Sequence, residues 1–324
     1  MSRNFFVAHA GGNIVTNFDF PCQRSRLKLI LGALPNLGIL EVAEGPVPEE
    51  SINGYRMHYE VYGQGEPLVM IHGGLGGGEG GSSFVEHHSS VLSRRFQFIV
   101  YDRRAAGQSE TPADGYSMEN YAQDLFCLLE HLGVDHAHVL GSSAGGPIAI
   151  RFALDHPQMT RTLQLINTMS YAQESERAVR QKELDQLYAT EAAHGRLAAA
   201  ERALESRWPG IRQSQPIRFQ RLLDIHLERF DGIARTIQSY LDIGDSLESR
   251  LPELRVPTLI VHGDADSRIP VRCSHQLQNS IRCSELYIVP GAEHGLMANE
   301  PELLRNVIFQ FLERRSPETT LASR

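Results

Sequence analysis

One serine of the sequence stands where a strand is expected to give way to a helix. Residues 141–145 read GSSAG, the pattern G-x-S-x-G, and they follow the apolar run 136–140 and precede a helical pattern. So sharp a turn requires small residues two positions before and after the nucleophile, because strand and helix pack closely there. Gly141 and Gly145 meet this requirement. Ser143 is therefore the candidate nucleophile, at a helix N-terminus whose free N–H groups favour developing negative charge.

A base for this serine is the second requirement, since a hydroxyl is a weak nucleophile at neutral pH. His294 lies in the segment PGAEHG, the first loop after the last expected strand. That loop is at the carboxyl edge of the sheet, where α/β proteins place ligands and catalytic groups. His72 and His262 end strands and are expected to have structural roles, whereas most other histidines, His88 among them, are expected on the solvated surface. His294 is therefore the candidate base.

A carboxylate must hold the tautomer of that imidazole. The loop after the strand at 258–262 offers two acids, Asp264 and Asp266. Asp264 follows the strand almost at once and is better placed to accept hydrogen bonds from turn amides. The turn after the preceding strand, residues 167–170, carries no acid. Asp266 is therefore the candidate acid.

The third requirement is an oxyanion hole, with at least two N–H donors for the tetrahedral intermediate. The N–H of Ala144, one position after the candidate nucleophile, supplies one donor. The segment HGGLGGG at 72–78 follows the first apolar strand and offers the other from Gly74 or Leu75. A phosphate-binding loop does not fit this segment, because no Lys-Ser/Thr follows and no G-x-G-x-x-G opens a helix with a later acidic partner.

The elements that must position these residues alternate along the chain. Short apolar runs bounded by Gly-rich or polar sequence are typical of strands buried on both faces. Helical patterns at 118–132 and 147–154 separate them, and another follows at 301–314. Strand alternating with helix predicts an α/β protein with a mostly parallel sheet. The predicted strands are 67–71, 96–101, 136–140, 163–166, 258–262 and 285–289.

The alternation stops between residues 171 and 249, where only amphipathic helices are expected. The predicted organisation is therefore an N-terminal arm, two parts of one α/β core around an all-helical insertion, and a frayed tail. In the arm, Leu27, Ile30, Leu31 and Leu34 have helical spacing before Pro35. The predicted boundaries are 1–49 for the arm, 50–170 and 250–314 for the core, 171–249 for the insertion and 315–324 for the tail.

Composition excludes several classes of function. The 324 residues include 31 Lys+Arg and 39 Asp+Glu, a net charge of −8, with 41% hydrophobic residues. This composition favours a soluble globular protein, and the acidic balance argues against nucleic acid as a partner. The longest apolar stretch, 27–40, is too short for a membrane span, and no secretory signal is evident at the start. Four scattered cysteines without a C-x-x-C pair indicate reduced thiols and no zinc site. We expect a cytoplasmic enzyme without metal or cofactor.

The order Ser143, Asp266, His294, preceded by His72-Gly-Gly and with a helical insertion between strands, resembles the α/β-hydrolase superfamily over residues 51–314. The segment 101–109, YDRRAAGQS, is also similar to its D-x-R-G-x-G-x-S loop, with Ala105 in place of the first glycine. This resemblance implies the α/β-hydrolase fold, with helices on both faces of the sheet, an inserted cap that serves as a lid, and Asp266 as the acid. A serine at position 143 argues against the dehalogenase and epoxide hydrolase branches, which have an aspartate there.

The resemblance leaves the reaction partly open. Proline iminopeptidases carry a proline and a tryptophan where this chain has Leu75 and Ala144, and carbon-carbon bond hydrolases usually have an asparagine at the position of Ser142. Both remain alternatives, as does a non-catalytic receptor on the same fold. We expect a serine hydrolase that cleaves a carboxylic ester or lactone through an acyl-enzyme.

The insertion is the best sequence evidence on the substrate, because a lid supplies much of a pocket wall. It carries eleven Lys/Arg and thirteen Asp/Glu, so it holds no cationic surplus for an acidic substrate. The expected substrate is a neutral, hydrophobic small molecule, and the candidate substrate-binding residues are Ser142, Met169, Tyr171 and Trp208. For the arm, we hypothesise packing against the chain's own core or a second subunit in a homodimer.

Overall fold

The chain divides into two compact units, Met1–Glu50 and Ser51–Arg324. The predictions for residues 32–49 of the arm and 316–324 of the tail lie outside the described residues. The computed structural model describes residues 7–10, 13–20, 23–31, 51–75, 78, 80–170, 174–243 and 246–315.

Within the first unit, the described residues form a three-stranded antiparallel sheet. Its strands are β1 (Val7–Ala10), β2 (Asn13–Phe20) and β3 (Gln23–Leu31), in the order β1-β2-β3. The helical spacing read from residue 27 onward is therefore wrong as far as residue 31. Leu27, Leu29 and Leu31 also alternate at every second position, the period of a strand, and an apolar run this short fits both periods. Pairing with β2 selects the strand, for example between Leu31 and Ile14.

The second unit contains a two-stranded antiparallel ribbon and a seven-stranded sheet. The ribbon pairs β4 (Ser51–Ile52) with β5 (Tyr55–Arg56). The large sheet has the order β12-β11-β10-β9-β7-β8-β6 and is parallel apart from β6, which runs antiparallel to β8. Each predicted strand is present, with its ends shifted by at most three residues. The strands are β6 (Tyr59–Tyr62), β7 (Glu66–Ile71), β8 (Phe96–Tyr101), β9 (Ala137–Ser142), β10 (Thr160–Ile166), β11 (Thr258–Gly263) and β12 (Ser284–Val289).

Helices connect these strands, and five of them lie between β10 and β11. Sequence periodicity missed the short helical segment 82–92 and helix α10, which are too brief or too polar to show an apolar stripe. The helices are α1 (Ser82–Phe84), α2 (Ser90–Leu92), α3 (Met118–His131), α4 (Gly145–Asp155), α5 (Glu174–Arg207), α6 (Ile211–Ser214), α7 (Pro216–Glu228), α8 (Phe230–Leu241), α9 (Ser246–Arg250), α10 (Arg272–Ser280), α11 (Leu296–Asn299) and α12 (Pro301–Glu313). We call α5–α9 the helical insertion.

Helices cover both faces of the large sheet, as predicted. Alternate residues of β7 point to opposite faces: Val69 and Ile71 belong to one apolar cluster, and Leu68 and Met70 belong to another. The first cluster includes apolar side chains of α3 and α4, and the second includes those of α12. Burial on both faces explains why these strands read as continuous apolar runs.

The chain changes direction across the sheet between β7 and β9. After β8 on one side of β7, it crosses to β9 on the other side. Ligand sites of open α/β sheets lie at such a switch point, beyond the carboxyl ends of the strands. The loop after β7 and the turn after β9 therefore meet at this edge, with the loops after β10, β11 and β12 beside them. Among the described residues, no helix has the length and apolar character needed to cross a membrane.

Candidate active site

The turn between β9 and α4 holds Ser143 in a strained conformation. Its φ is +50°, in the left-handed region that residues other than glycine rarely adopt. Close packing around the turn excludes larger neighbours. A Cβ on Gly141 would lie 2.6 Å from the carbonyl oxygen of Gly145, and a Cβ on Gly145 would lie 2.2 Å from the carbonyl oxygen of Ile71. The two glycines are therefore required by the contact of β9, α4 and β7.

A chain of hydrogen bonds connects the three residues that the sequence singled out. Nε2 of His294 lies 2.9 Å from Oγ of Ser143, and Nδ1 of His294 lies 2.8 Å from Oδ2 of Asp266. Because the carboxylate can only accept, Nδ1 carries the proton and Nε2 presents its lone pair to the serine hydroxyl. The imidazole is 21% exposed, whereas the carboxylate is fully buried. The arrangement can move a proton from Ser143 to His294.

Besides His294, two backbone N–H groups and the side chains of Asn167 and His262 hold the carboxylate of Asp266, with Nε2 of His262 at 3.4 Å from Oδ2. Its Oδ1 accepts from the backbone N–H groups of Arg268 and Ile269, both at 2.9 Å, and its Oδ2 also accepts from Nδ2 of Asn167 at 2.6 Å. Burial alone would raise the pKa of this carboxyl. Hydrogen bonds from the imidazoles of His262 and His294 and from the Ile269 N–H outweigh burial and hold the pKa well below its usual range. Asp266 therefore stays ionised beside His294.

The other acid of this loop has a different environment. Oδ1 of Asp264 accepts a hydrogen bond from the backbone N–H of Gly291 at 2.6 Å, and Asp264 is exposed. This is the turn-amide contact expected from its place directly after β11. Asp264 thus joins two loops at the sheet edge, and none of its described hydrogen bonds involves His294.

The candidate oxyanion donors lie on both sides of Ser143. Ala144 is the N-cap of α4 and follows the serine directly. Gly73 brings the loop after β7 against the serine, since a Cβ on Gly73 would lie 3.0 Å from Cβ of Ser143. Gly74 and Leu75 follow in the same loop. The structure thus brings the backbone of both predicted segments to the nucleophile, as the adjacency of β7 and β9 requires.

The structure describes three of the four candidate substrate-binding residues, and they differ in burial and position. Ser142 is buried at the end of β9, and Met169 is half-buried in the loop after β10. Tyr171 lies outside the described residues. Trp208 packs against the apolar cluster within the helical insertion, where it contributes to the core of that insertion.

A cavity of about 410 Å³ lies between the start of α3 and the helical insertion. Tyr116, Tyr188 and Arg235 contribute to its wall. Ser143 and His294 do not line it, so its position gives no reason to connect it with the chemistry of the serine.

The loop after β8 departs from the family pattern at a strained position. Ala105, where the family has glycine, is buried and has a φ of +57°. Glycine would adopt this conformation without the steric cost of a Cβ. Next to it, the buried guanidinium of Arg104 binds the carboxylate of Asp124 at 2.7 Å. This ion pair anchors the loop to α3.

His88 lies where the sequence did not predict it, and His138 and His226 are buried as well. His88 is buried, and its Nε2 lies 2.8 Å from the carbonyl oxygen of Met297. The expectation of a solvated His88 is wrong because the segment 85–89 packs against α12 and α11 supplies the acceptor. His72 and His262 are buried and hydrogen-bonded to backbone carbonyls, in keeping with structural roles.

Sequence reasoning missed three polar residues that contact the site. Asn167 donates to Asp266, and its place directly after β10, at the sheet edge, is a signal that could have revealed it. Arg103 and Tyr240 hydrogen-bond to the backbone around Ser143. These two residues come from different parts of the chain and share no local pattern, so no sequence signal marks them.

Comparison with known proteins gives one family. The chain matches the alpha/beta hydrolase fold family over residues 66–301. It is 25% identical over 274 residues to the putative carbamate hydrolase RutD of Serratia proteamaculans (strain 568), an alignment that covers 79% of this chain and 96% of that protein. It is also 25% identical over 310 residues to the serine hydrolase BPHL of Mus musculus, covering 89% of this chain and 96% of that protein.

A solved structure shows the same fold. The enol-lactonase from Burkholderia xenovorans LB400 superimposes with a TM-score of 0.67 at 21% sequence identity, covering 82% of this chain and 100% of that chain. The predicted fold class and the resemblance stated from the motifs are thereby confirmed.

Proposed function

The chain belongs to the alpha/beta hydrolase fold family, and we propose that it is a serine hydrolase that cleaves a carboxylic ester or lactone of a neutral, hydrophobic small molecule. The observation that carries this proposal is the hydrogen-bonded chain from Ser143 through His294 to Asp266, with distances of 2.9 and 2.8 Å. Nucleophile, base and orienting acid within hydrogen-bond reach are the signature of nucleophilic acyl transfer.

In the proposed reaction, Oγ of Ser143 attacks the acyl carbonyl carbon while Nε2 of His294 takes its proton. The carbonyl oxygen becomes an oxyanion and is held by the N–H of Ala144 and that of Gly74 or Leu75. The carbon–oxygen bond then breaks as His294 returns its proton to the leaving oxygen. Water, deprotonated by the same imidazole, hydrolyses the acyl-enzyme and regenerates Ser143. With a lactone, ring opening keeps both halves of the substrate on the enzyme until this second step.

Two observations favour a neutral substrate. The insertion has a net charge of −2 between residues 171 and 249, and we propose that it is the lid of the site. The guanidinium of Arg103, close to the site, directs its Nη groups to two carbonyl oxygens and a tyrosine hydroxyl. It is therefore engaged with the protein and is not offered to a substrate carboxylate.

The names of similar proteins support the same chemistry. One relative is called a serine hydrolase, another a putative carbamate hydrolase, and a structural neighbour is an enol-lactonase. Esters, lactones and carbamates all present an acyl carbonyl to the nucleophile, so one arrangement of residues serves all three. The choice among them depends on the pocket wall.

The experiment is stopped-flow hydrolysis of short p-nitrophenyl esters by the full chain, with the Ser143→Ala variant as control. We expect a burst of nitrophenol equal to the enzyme concentration, labelling of Ser143 by a fluorophosphonate, and neither signal in the variant. A screen of esters, lactones, carbamates, aminoacyl amides and ring-cleavage dienoates then tests the substrate class. A kcat/KM for an amide or dienoate far above every ester and lactone would refute the ester or lactone assignment. Absence of both burst and labelling would refute the enzyme mechanism itself.

A further inference from the structure

Arg103 is a buried cation beside the proposed site. Arg103 is 1% exposed, and no ion pair with a carboxylate is found for it among the described residues. Its Nη2 instead donates to the carbonyl oxygens of Gly73 at 2.9 Å and Gly74 at 2.5 Å, and its Nη1 donates to the hydroxyl of Tyr240 at 3.1 Å. A buried charge is retained at a cost in free energy, so three contacts with one loop and one tyrosine call for an explanation.

The two carbonyl contacts determine where two N–H groups point. In a trans peptide the N–H lies opposite the C=O of the same plane. Nη2 of Arg103 donates to the carbonyl oxygens of both Gly73 and Gly74, so both oxygens point toward the guanidinium. The N–H groups of the same two peptide planes, those of Gly74 and Leu75, therefore point away from it. Gly74 has a φ of +85°, which suits the anion-binding concavity formed by successive N–H groups. These are the two candidate oxyanion donors of this loop.

The carbonyl of Gly73 has a second donor. Nε2 of His72 accepts from the backbone N–H of Arg103 at 3.0 Å, so its Nδ1 carries the proton and donates to Gly73 at 2.7 Å. Burial, with the neighbouring charge of Arg103, holds the pKa of His72 well below its usual range. His72 therefore stays neutral and keeps the peptide plane between Gly73 and Gly74 in place.

Tyr240 extends the same network to the other side of Ser143. Its hydroxyl accepts from Arg103 and donates to the carbonyl oxygen of Ala144. Ala144 supplies the remaining oxyanion donor. Its N–H lies in the peptide plane of the Ser143 carbonyl, so the contact of Tyr240 with the Ala144 carbonyl fixes the position of this residue and acts on the direction of its N–H through the adjoining plane. Tyr240 belongs to α8 of the helical insertion, so a residue of the insertion binds the residue after the nucleophile. One guanidinium and one phenol thus connect both halves of the oxyanion hole.

We infer that Arg103 and Tyr240 are positioning residues that hold the N–H groups of Gly74, Leu75 and Ala144 in place for the oxyanion, and that seating of α8 on the core completes this arrangement. The inference rests on the proposed function, because an oxyanion forms only if Ser143 attacks a carbonyl. Neither side chain touches the substrate in the proposed arrangement. Their contribution comes from donors that need no reorganisation when negative charge develops.

The test compares Tyr240→Phe, Arg103→Met and Arg103→Lys with Tyr121→Phe. The control is matched, because Tyr121 is also buried and its hydroxyl also contacts α8, at Thr236 (3.3 Å), without a described hydrogen bond to the oxyanion segments. The Tyr121 ring also faces the guanidinium of Arg103 at 5.7 Å, and phenylalanine keeps this ring while it removes the hydroxyl. The measurements are kcat and KM for a p-nitrophenyl ester, the Ki of a trifluoromethyl ketone that forms an oxyanion with the serine, and the melting temperature. Tyr240→Phe removes one hydroxyl from a buried ring, so the test remains valid if Arg103→Met fails to fold.

We expect Tyr240→Phe to lower kcat on the order of 10-fold and Arg103→Met by up to ~100-fold, below the loss of a whole donor. The KM should change less than about twofold, the ketone Ki should rise by the same factor as kcat falls, and Arg103→Lys should recover part of the loss. Tyr121→Phe should keep the wild-type kcat and ketone Ki. Unchanged kcat and ketone Ki in Tyr240→Phe, or equal losses in Tyr121→Phe, would overturn the inference and leave the proposed function standing. Turnover retained by Ser143→Ala would refute the proposed function, and the inference with it.

Discussion

Replacing Asp266 with asparagine leaves the shape of the side chain unchanged but alters a site in which every contact of the carboxylate is an accepted hydrogen bond. Oδ2 accepts from Nδ1 of His294 at 2.8 Å and from Nδ2 of Asn167 at 2.6 Å. Oδ1 accepts from the backbone N–H groups of Arg268 and Ile269. An asparagine must direct its own NH2 group at the donors that face one of these two oxygens.

Either orientation damages the site, but in different ways. If the NH2 faces His294, the imidazole must present the lone pair of Nδ1. Its proton then moves to Nε2, the nitrogen that faces Ser143. The ring can then no longer accept the serine proton. A wrong tautomer costs on the order of 10⁴ in kcat, or about 5 kcal/mol of transition-state stabilisation. If the NH2 instead faces Arg268 and Ile269, two buried N–H groups lose their acceptor, at ~1–3 kcal/mol of folding free energy each.

The assay is the steady-state hydrolysis of a p-nitrophenyl ester, with the free energy of unfolding measured by urea in parallel. Asp264→Asn is the matched control, because it makes the same change of charge in the same loop and, among the described side-chain hydrogen bonds, affects the contact with Gly291 alone. We expect Asp266→Asn to lose about 10⁴ in kcat and Asp264→Asn to lose no more than a few-fold. A larger loss in Asp264→Asn would show that the acid has been assigned to the wrong residue.

Three further predictions concern the nucleophile, its turn and a buried histidine. Ser143→Ala should lower turnover by ~10⁶ with unchanged circular dichroism, and retained activity would contradict the assignment of the nucleophile. Gly145→Ala should lower the free energy of unfolding by at least ~1–3 kcal/mol, because its Cβ would lie 2.2 Å from the Ile71 carbonyl oxygen; a wild-type urea midpoint would contradict the packing argument. Burial lowers the pKa of His88 to about 4 from its usual 6.5, so between these pH values the unfolded chain binds a proton that the folded chain does not. Stability should therefore fall by about 3 kcal/mol from pH 6.5 to 4 on account of His88, and His88→Gln should flatten this slope in urea unfolding; an unaltered slope would exclude that contribution.

Local patterns were sufficient to predict the six parallel strands of the large sheet and the turns that follow them. The apolar run at 67–71 became β7 (Glu66–Ile71), and the G-x-S-x-G turn at Ser143 lies between β9 and α4. Such features depend on side-chain period and on glycine, both of which can be read within about ten residues. The order of these turns along the chain then indicated which residues would meet at the carboxyl edge.

Contacts between distant side chains could not be predicted in this way. Arg103 and Tyr240 are 137 positions apart, and Asn167 and Asp266 are 99 apart. Their pairing depends on how the helical insertion and the strand ends pack, and the periodicity of the sequence carries no information on this packing. The same limit explains His88, whose burial depends on α11 and α12 at the far end of the chain. For β3, the sequence fits both the strand period of 2 residues and the helical period of 3.6, and pairing with β2 selects the strand.

The strand order of the large sheet also determines when during folding the chain can acquire the proposed activity. His294 and Asp266 are 28 positions apart, but His294 and Ser143 are 151 apart and meet only after β9, β10, β11 and β12 have all paired. Parallel strands with long crossovers close large loops, and such non-local contacts form late and slowly. A nascent or partly folded chain would therefore expose the G-x-S-x-G turn without its base. Reaction with a fluorophosphonate would then report completion of the sheet. A chain that stopped folding before β12 paired would have no esterase activity, because Ser143 would lack its base.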